Sequence, residues 1–267
     1  MTELIHEIHV PASADSLLEL VADQDNNHLY YPTHLYAEVV GRDGNDDLVD
    51  RWVIDGEQVK SWRIRRTIDR EGRKIVFTHV EPAAPFETLF GEWTFRPDGD
   101  TGTLVRTRHG FDIAGNDAAT IKKVSAHMDH NVPEVLKHTS WLAVHQDRLR
   151  ELTFTAERTA RVTASLDEVY RYLADGDTSD EKKYARVLQA PNRILHKWRT
   201  GLPGDLYSLT GEYRLTQHGA EVEVLVGNTI VLPVELDGDL VEKTGKKVGG
   251  KSDKNLQEIV DHFAAKA

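Results

Sequence analysis

The sequence predicts an α+β protein built twice over: two tandem curved antiparallel sheets, each closed by a long C-terminal helix, with the second copy shortened. Three observations predict it. First, the chain repeats itself. VPASADSLLELVAD (Val10 to Asp23) returns as VTASLDEVYRYLAD (Val162 to Asp175), and GEWTFRPDG (Gly91 to Gly99) returns as GEYRLTQHG (Gly211 to Gly219). The offsets are 152 and 120 positions, so the second copy lacks 32 residues between its two repeats. Matched segments in the same order mark a duplication. Second, short runs of strand-forming residues alternate with turn chemistry. Third, each copy ends on a stretch of helical periodicity.

The first copy opens with a strand over Leu4 to Val10 and a helix over Ala14 to Asp23, with Ser13 as N-cap and Leu17, Leu18 and Val21 on the apolar stripe. Asn26 to Pro32 reads as a short helix or loop. Strands follow at Tyr36–Gly41, Leu48–Ile54, Val59–Asp69, Lys74–Val80, Glu87–Phe95 and Thr103–Ile113, separated by RDGNDD, IDGE, DREGR, EPAAP and PDGDTG. A helical stretch from Asp117 to about Leu152 closes the copy, with an interruption expected at Pro133. The concave side of such a sheet is too wide for one helix to fill, which leaves a cavity. The second copy keeps strands at Phe154–Val162, Lys183–Gln189, Ile194–Arg199, Leu206–Leu215 and Val222–Val231; the missing residues correspond to the short helix and two edge strands. Gly245, Gly249 and Gly250 are expected to break the last helix, leaving Ser252 to Ala265. The domain boundaries drawn from this pattern are 1–152 and 153–267.

One position stands out for function. In VKSWRIRRTI the alternation of a strand puts Trp62, Ile64, Arg66 and Ile68 on one face and Ser61, Arg63, Arg65 and Thr67 on the other. Arg66 therefore goes inward with apolar neighbours. A buried guanidinium does not shed its proton, so it needs a carboxylate, a water-filled cavity or an anionic ligand. Arg186 falls at the equivalent position of the second copy, with Tyr184 and Leu188 on its face.

Composition narrows the class. Hydrophobic residues make up 39% and charged residues 29%, the net charge is −11, and there is no cysteine. Disulfides, thiolate catalysis and cysteine zinc sites are excluded. The acidic balance without a Lys/Arg block argues against nucleic acid. No apolar stretch is long enough for a membrane span, no secretory signal is seen at the N-terminus, and a cytoplasmic location is expected. In SAHMDHNVPEVLKH the histidines His127, His130 and His138 have no carboxylate in a metal-ligand pattern, so no metal site is expected.

GEQVKSWRIRRTIDREGRKIVF and APFETLFGEWTFRPDGDTGTLVRTRHGF, together with NRILHKWRTGLPGDLYSLTGEYRLTQHGAEVEVLVGNTIVL in the second copy, resemble the two-domain aromatase/cyclases of bacterial type II polyketide pathways. The segment NNHLYYPTHLYAEVV departs from the family in lacking a Trp-Pro pair. The resemblance implies a helix-grip fold of the START-like superfamily in each domain and a poly-β-ketone substrate on an acyl carrier protein. It also implies first-ring closure, typically between carbons 7 and 12, followed by loss of water. No metal or organic cofactor is implied. The implied partners are the carrier protein, ketosynthase and ketoreductase, with the chain a monomer or dimer. The family's essential strand arginine maps onto Arg66 and Arg186.

An aldol closure and dehydration need stabilised enolates and a proton shuttle. Arg66 suits the first need as a fixed donor to an oxyanion. His34, Tyr36 and His79 are candidates for the second. Trp62, Ile64, Phe86, Leu89 and Trp93, with Tyr184 in the second copy, are read as walls that bend the chain and exclude water. Two other readings stay open: a ligand carrier without chemistry, and a chaperone that shapes a polyketide for the synthase.

Overall fold

A computed structural model describes residues 1–176, 183–202, 206–236 and 238–265, with the side chains of residues 240 and 246 also outside the description. The acidic stretch read as a solvated loop from Asp175 to Glu181 falls largely outside the described residues. The chain divides into two compact units, one of Met1–Tyr31, Ala37–Trp52 and Lys60–Gln146, the other of Pro32–Tyr36, Val53–Val59 and Asp147–Ala267.

In the first copy β1 (Thr2–Val10) leads into α1 (Ala14–Ala22) and the single turn α2 (Asn27–Tyr30). A meander follows: β2 (His34–Asp43), β3 (Asp46–Asp55), β4 (Gln58–Asp69), β5 (Lys74–His79), β6 (Phe86–Asp98) and β7 (Gly102–Ile113). The helix α3 (Ala118–Glu151) closes it. The strands form one seven-stranded sheet in the order β1-β7-β6-β5-β4-β3-β2. Ser13 caps α1 as expected, its hydroxyl accepting from the Ser16 amide.

The second copy runs β8 (Thr153–Thr163), α4 (Leu166–Ala174), β9 (Tyr184–Gln189), β10 (Arg193–Trp198), β11 (Ser208–His218), β12 (Glu221–Val231) and α5 (Gly238–Ala264). Its sheet has the order β8-β12-β11-β10-β9, the same ladder without the two outer strands. Ser165 and Glu168 form a reciprocal capping box at the start of α4. This is the helix-grip arrangement that the sequence predicts, present twice.

Each core sits where the helices meet the concave sheet face. In the first unit Leu17 and Leu18 of α1 and Leu136 and Ala143 of α3 pack with Val10, Ile68, Ile75, Phe95 and Val105. In the second, Val169 of α4 and Ile259 and Phe263 of α5 pack with Leu215, Val222, Val224 and Val226.

Two expectations about the helices are corrected. α3 runs unbroken through Pro133. The proline removes a backbone donor, but Leu136, Leu142 and Leu149 are buried along the helix, and tertiary packing outweighs the local cost. α5 likewise runs through its glycines. A Cβ on Gly245 would lie 2.6 Å from the Phe154 ring, and one on Gly249 3.0 Å from the Arg158 guanidinium. These glycines bring the helix close to β8; they do not end it. Gly250 faces open space. Accordingly, Gly245→Leu should lower stability by about 1–3 kcal/mol through overpacking, while Gly250→Ala should raise it by up to about 1 kcal/mol. Urea unfolding followed by circular dichroism measures both, and equal effects would contradict the packing role.

Candidate active site

Arg66 goes inward as the alternation requires and is 4% exposed. Of the three ways to satisfy its charge, the protein uses the carboxylate. Arg66 Nε donates to Asp47 Oδ1 at 2.8 Å, one Nη donates to Oδ2 at 2.5 Å, and the same Nη reaches the Ala22 carbonyl at 3.2 Å. Asp47 is buried equally, and the two form a bidentate pair of the strong, planar kind. The expectation that this guanidinium faces a ligand is therefore corrected: it ties β3 and β4 to the last carbonyl of α1. In the second unit Arg186 donates to the Ala174 carbonyl, the last residue of α4, at 3.0 Å. The duplicated arginine makes the duplicated contact.

What lines the concave face of the first unit is a different set. On β3 the face that holds Asp47 and Val49 continues to Arg51. On β5 Ile75 is followed by Phe77 and His79, on β6 Leu89, Gly91 and Trp93 alternate, and on β7 Thr107 is followed by His109 and Phe111. Ile64, Ile75 and Phe111 are fully buried, so Ile64 is core and not wall. Trp62, Phe77, His79, Phe86, Leu89, Trp93 and His109 remain half-buried. Trp62 stacks on His79 at 5.7 Å, Phe77 meets His109 at 5.9 Å, and Phe86 meets Phe111 edge-on at 5.9 Å. Opposite, the apolar stripe of α3 that ends in Leu136 and Ala143 begins with Ile121, Val124, Met128 and Val132, and none of these four is fully buried. Side chains on both apolar faces stay part-exposed, and the surface between them is the candidate hollow.

Electrostatics at this face agree. Burial holds the His79 imidazole down to about 4, with the Arg51 charge adding to the effect, and holds His109 down to about 4, with His6 adding. Burial, with the charge of Arg66 added, pulls Arg51 down to about 10. All three keep part of their surface open while burial still disfavours their charged forms. His109 Nδ1 is buried without a hydrogen-bond partner among the described residues. The site thus holds a guanidinium and two neutral imidazoles among aromatic rings.

Tyr36 and His34 do not join it. Tyr36 lies on the face of β2 opposite the buried Leu35. Its hydroxyl is hydrogen-bonded by Arg193 within the second unit, and the guanidinium stands 4.6 Å over its ring. The His34 carbonyl accepts from Lys197 Nζ at 3.0 Å, a lysine that burial brings down to about 7. Placing either residue in the first cavity is corrected by strand parity, which puts 34 and 36 on the outer side. Arg63, on the outer face of β4, pairs with Asp50 at 2.5 Å. His127 contacts Asn131 and His138 contacts the Tyr30 carbonyl; among the described residues no group of three or more His, Asp or Glu is placed to hold a metal. No helix among the described residues is long and apolar enough to cross a membrane. Tyr184 lies on the concave face of the second unit, 6.0 Å from His196 and from Trp198.

Residues 1–132 match the family described as polyketide cyclase/dehydrase and lipid transport. The actinorhodin polyketide synthase bifunctional cyclase/dehydratase of Streptomyces coelicolor is 30% identical over 179 residues, 67% of this chain and 55% of that protein. Residues 1–132 are thus similar to a polyketide cyclase/dehydrase domain. The granaticin counterpart from Streptomyces violaceoruber is 25% identical over 168 residues, 63% of this chain and 52% of that protein. The chain therefore spans about half the length of these curated relatives. In fold, it is similar over 99% of both chains to the di-domain ARO/CYC BexL from the BE-7585A pathway, with a TM-score of 0.79 and 20% identity. It is similar over 98% of both to StfQ from the steffimycin pathway, with a TM-score of 0.76 and 23% identity.

Within the first unit, the residues that sequence reasoning passes over are Arg51, Phe77 and His109. The signal for each was strand parity: Arg51 follows Asp47 and Val49, and His109 sits between Thr107 and Phe111 on an inward row.

Two outcomes follow for measurement. Arg66→Met should cost about 3–5 kcal/mol in urea unfolding by stranding Asp47, and Arg66→Met with Asp47→Leu should recover most of it; a single variant of native stability would contradict the pairing. For His79 and His109 the folded value of about 4 lies below the ordinary 6.5. The unfolded chain then takes up protons first as pH falls, so their contribution to stability is complete above about 6.5 and is lost toward 4. Ring-proton NMR should show neither imidazole titrating between pH 7 and pH 5.

Proposed function

We propose that the hollow of the first unit is the reaction chamber of a polyketide aromatase/cyclase that closes and dehydrates the first ring of a poly-β-ketone. The observation that carries this reading is two neutral imidazoles and one desolvated guanidinium set into an aromatic wall. The chemistry asks for that set. An imidazole, His109 or His79, accepts a proton from a methylene between two carbonyls, and the enolate carbon attacks a ketone further along the chain. The attacked oxygen becomes an alkoxide beside Arg51 and is then protonated by the imidazolium. Loss of a second methylene proton and of that hydroxyl expels water and leaves a conjugated ring. Desolvation holds the imidazoles neutral, and the enolate formed alongside offsets that penalty as the proton moves. Arg51 supplies fixed donors to the developing oxyanion in a low-dielectric space. Trp62, Phe77, Phe86, Leu89 and Trp93 keep bulk water from the enolate.

The relatives named as polyketide synthase cyclase/dehydratases support a substrate of this class. On this reading the substrate is a once-reduced chain on an acyl carrier protein, delivered by a ketosynthase and ketoreductase of the same pathway, and the ring closes between carbons 7 and 12. No metal or organic cofactor enters the steps. We assign residues 1–152 to the reacting domain and 153–267 to the second, and place the reaction in the cytoplasm. Arg66, paired to Asp47, acts as a positioning residue.

The test is reconstitution with a minimal synthase and ketoreductase, with products identified by mass spectrometry and NMR. Wild-type protein should yield the product aromatised in its first ring. Arg51→Met and His109→Phe should each lower that product by roughly 100-fold, as loss of one oxyanion donor or proton carrier does, while still binding the chain. Products identical with and without the protein would overturn the enzymatic reading. Full activity in both variants would overturn the site.

A further inference from the structure

The second unit keeps the skeleton of the first but changes the groups that line it. In the first unit Phe77 lies on Gly91, where a Cβ would sit 2.3 Å from its ring. In the second, His196 lies on Gly211 in the same way, at 2.2 Å. Across the next ladder His109, opposite Gly91, is replaced by Asn228, opposite Gly211. An apolar ring and an imidazole have become an imidazole and an amide.

Asn228 is 1% exposed and its Oδ1 has no hydrogen-bond partner among the described residues. Its orientation is settled by its neighbour. The Ser252 hydroxyl donates to the Ala156 carbonyl at 3.0 Å and lies 3.5 Å from the Val248 carbonyl, so its oxygen has only acceptor capacity left for Asn228. The Asn228 amide nitrogen accordingly donates to Ser252 Oγ at 2.9 Å. The Oδ1 is turned the other way, toward Gly211, 3.1 Å from the point that a Cβ there would occupy. It shares that space with the His196 ring. A buried carbonyl oxygen without a donor is destabilising, and a bound hydroxyl removes that cost.

The surroundings are cationic and aromatic. Arg186 stands opposite His196 in the ladder. Lys251 of α5 holds its amine 5.2 Å from the Trp198 ring. Burial brings the His196 imidazole down to about 4, with the charges of Lys251 and Arg186 both pressing on it. Tyr184 and Tyr213 flank it at 6.0 and 5.9 Å.

We infer that the second unit has a ligand site of its own, in which Asn228 Oδ1 accepts a hydroxyl from an enolic or phenolic ring while Lys251 faces a second, ionised oxygen of that ring. The aromatic side chains at positions 184, 198 and 213 supply the walls, and neutral His196 faces the ring edge. A hydroxyarene with two ring oxygens, one protonated and one ionised, matches the acceptor, the ammonium and the aromatic walls, whereas a plain hydrocarbon satisfies neither the acceptor nor the ammonium. The site is argued from the second unit alone and stands whether or not the first hollow is a reaction chamber.

The experiment uses the full chain and 2,7-dihydroxynaphthalene, whose absorbance and fluorescence change on ionisation, with naphthalene as control. Wild-type protein should bind the diol at least tenfold more tightly than naphthalene and shift its first ionisation to lower pH. Asn228→Leu should weaken binding about tenfold. Lys251→Met, at a half-buried helix position, should abolish the ionisation shift with the fold intact by circular dichroism, and it decides the matter if Asn228→Leu does not fold. Equal affinity for naphthalene, wild-type behaviour in both variants (binding confined to the first hollow), or no binding at millimolar diol would each overturn the proposal.

Discussion

Everything about the first unit's interior follows from how Arg66 is neutralised. A guanidinium in the middle of an apolar strand face keeps its proton, and Asp47 meets it with both carboxylate oxygens while the Ala22 carbonyl takes a further donor. Apolar residues of similar shape often hold a fold as well as a buried pair does, so the pair's particular contribution here is position. It fixes the start of β3 against β4 and holds the end of α1 over both. Arg51, two inward places after Asp47 on β3, takes its place at the hollow from that register. Burial and the neighbouring positive charge of Arg66 both act on Arg51.

The duplication separates architecture from chemistry. The contacts that set the frame recur in both copies: the strand arginine on the terminal carbonyl of the helix, the ring on the glycine, the five-strand ladder. The groups that face the interior diverge. Where the first unit places Phe77 and His109, the second places His196 and Asn228. Glycine is retained at 91 and 211 because any side chain there would collide with the ring stacked on it. The frame is therefore constrained by sterics and buried charge, and the lining is comparatively free to take on new binding properties.

Much of this was legible in the residues. The repeat, the strand meander, the loss of two strands and the inward course of Arg66 follow from local pattern, since periodicity and turn chemistry are local properties. The partner of Arg66 was not legible, because Asp47 lies on another strand and its carboxylate sits in a run, DGNDD, that reads as turn. Tyr36 and His34 escape the pattern for a related reason: the first residues of β2 give no sign of which parity is inward until Leu35 is seen buried. The glycines of α5 read as breakers because sequence shows their missing side chain but not Phe154 pressed against it. Arg51 and His109 were within reach of the alternation argument that found Arg66, applied to the neighbouring strands.

The account stands or falls on which cation a ligand meets in the first hollow. A crystal structure with a stable, non-reactive polyketide mimic bound measures this directly. The account predicts the mimic between α3 and the inner faces of β3 to β7, with a ketide oxygen in hydrogen-bond reach of Arg51 and another near His109, and Arg66 still paired with Asp47. A mimic held by Arg66, with that side chain turned away from Asp47, would contradict it.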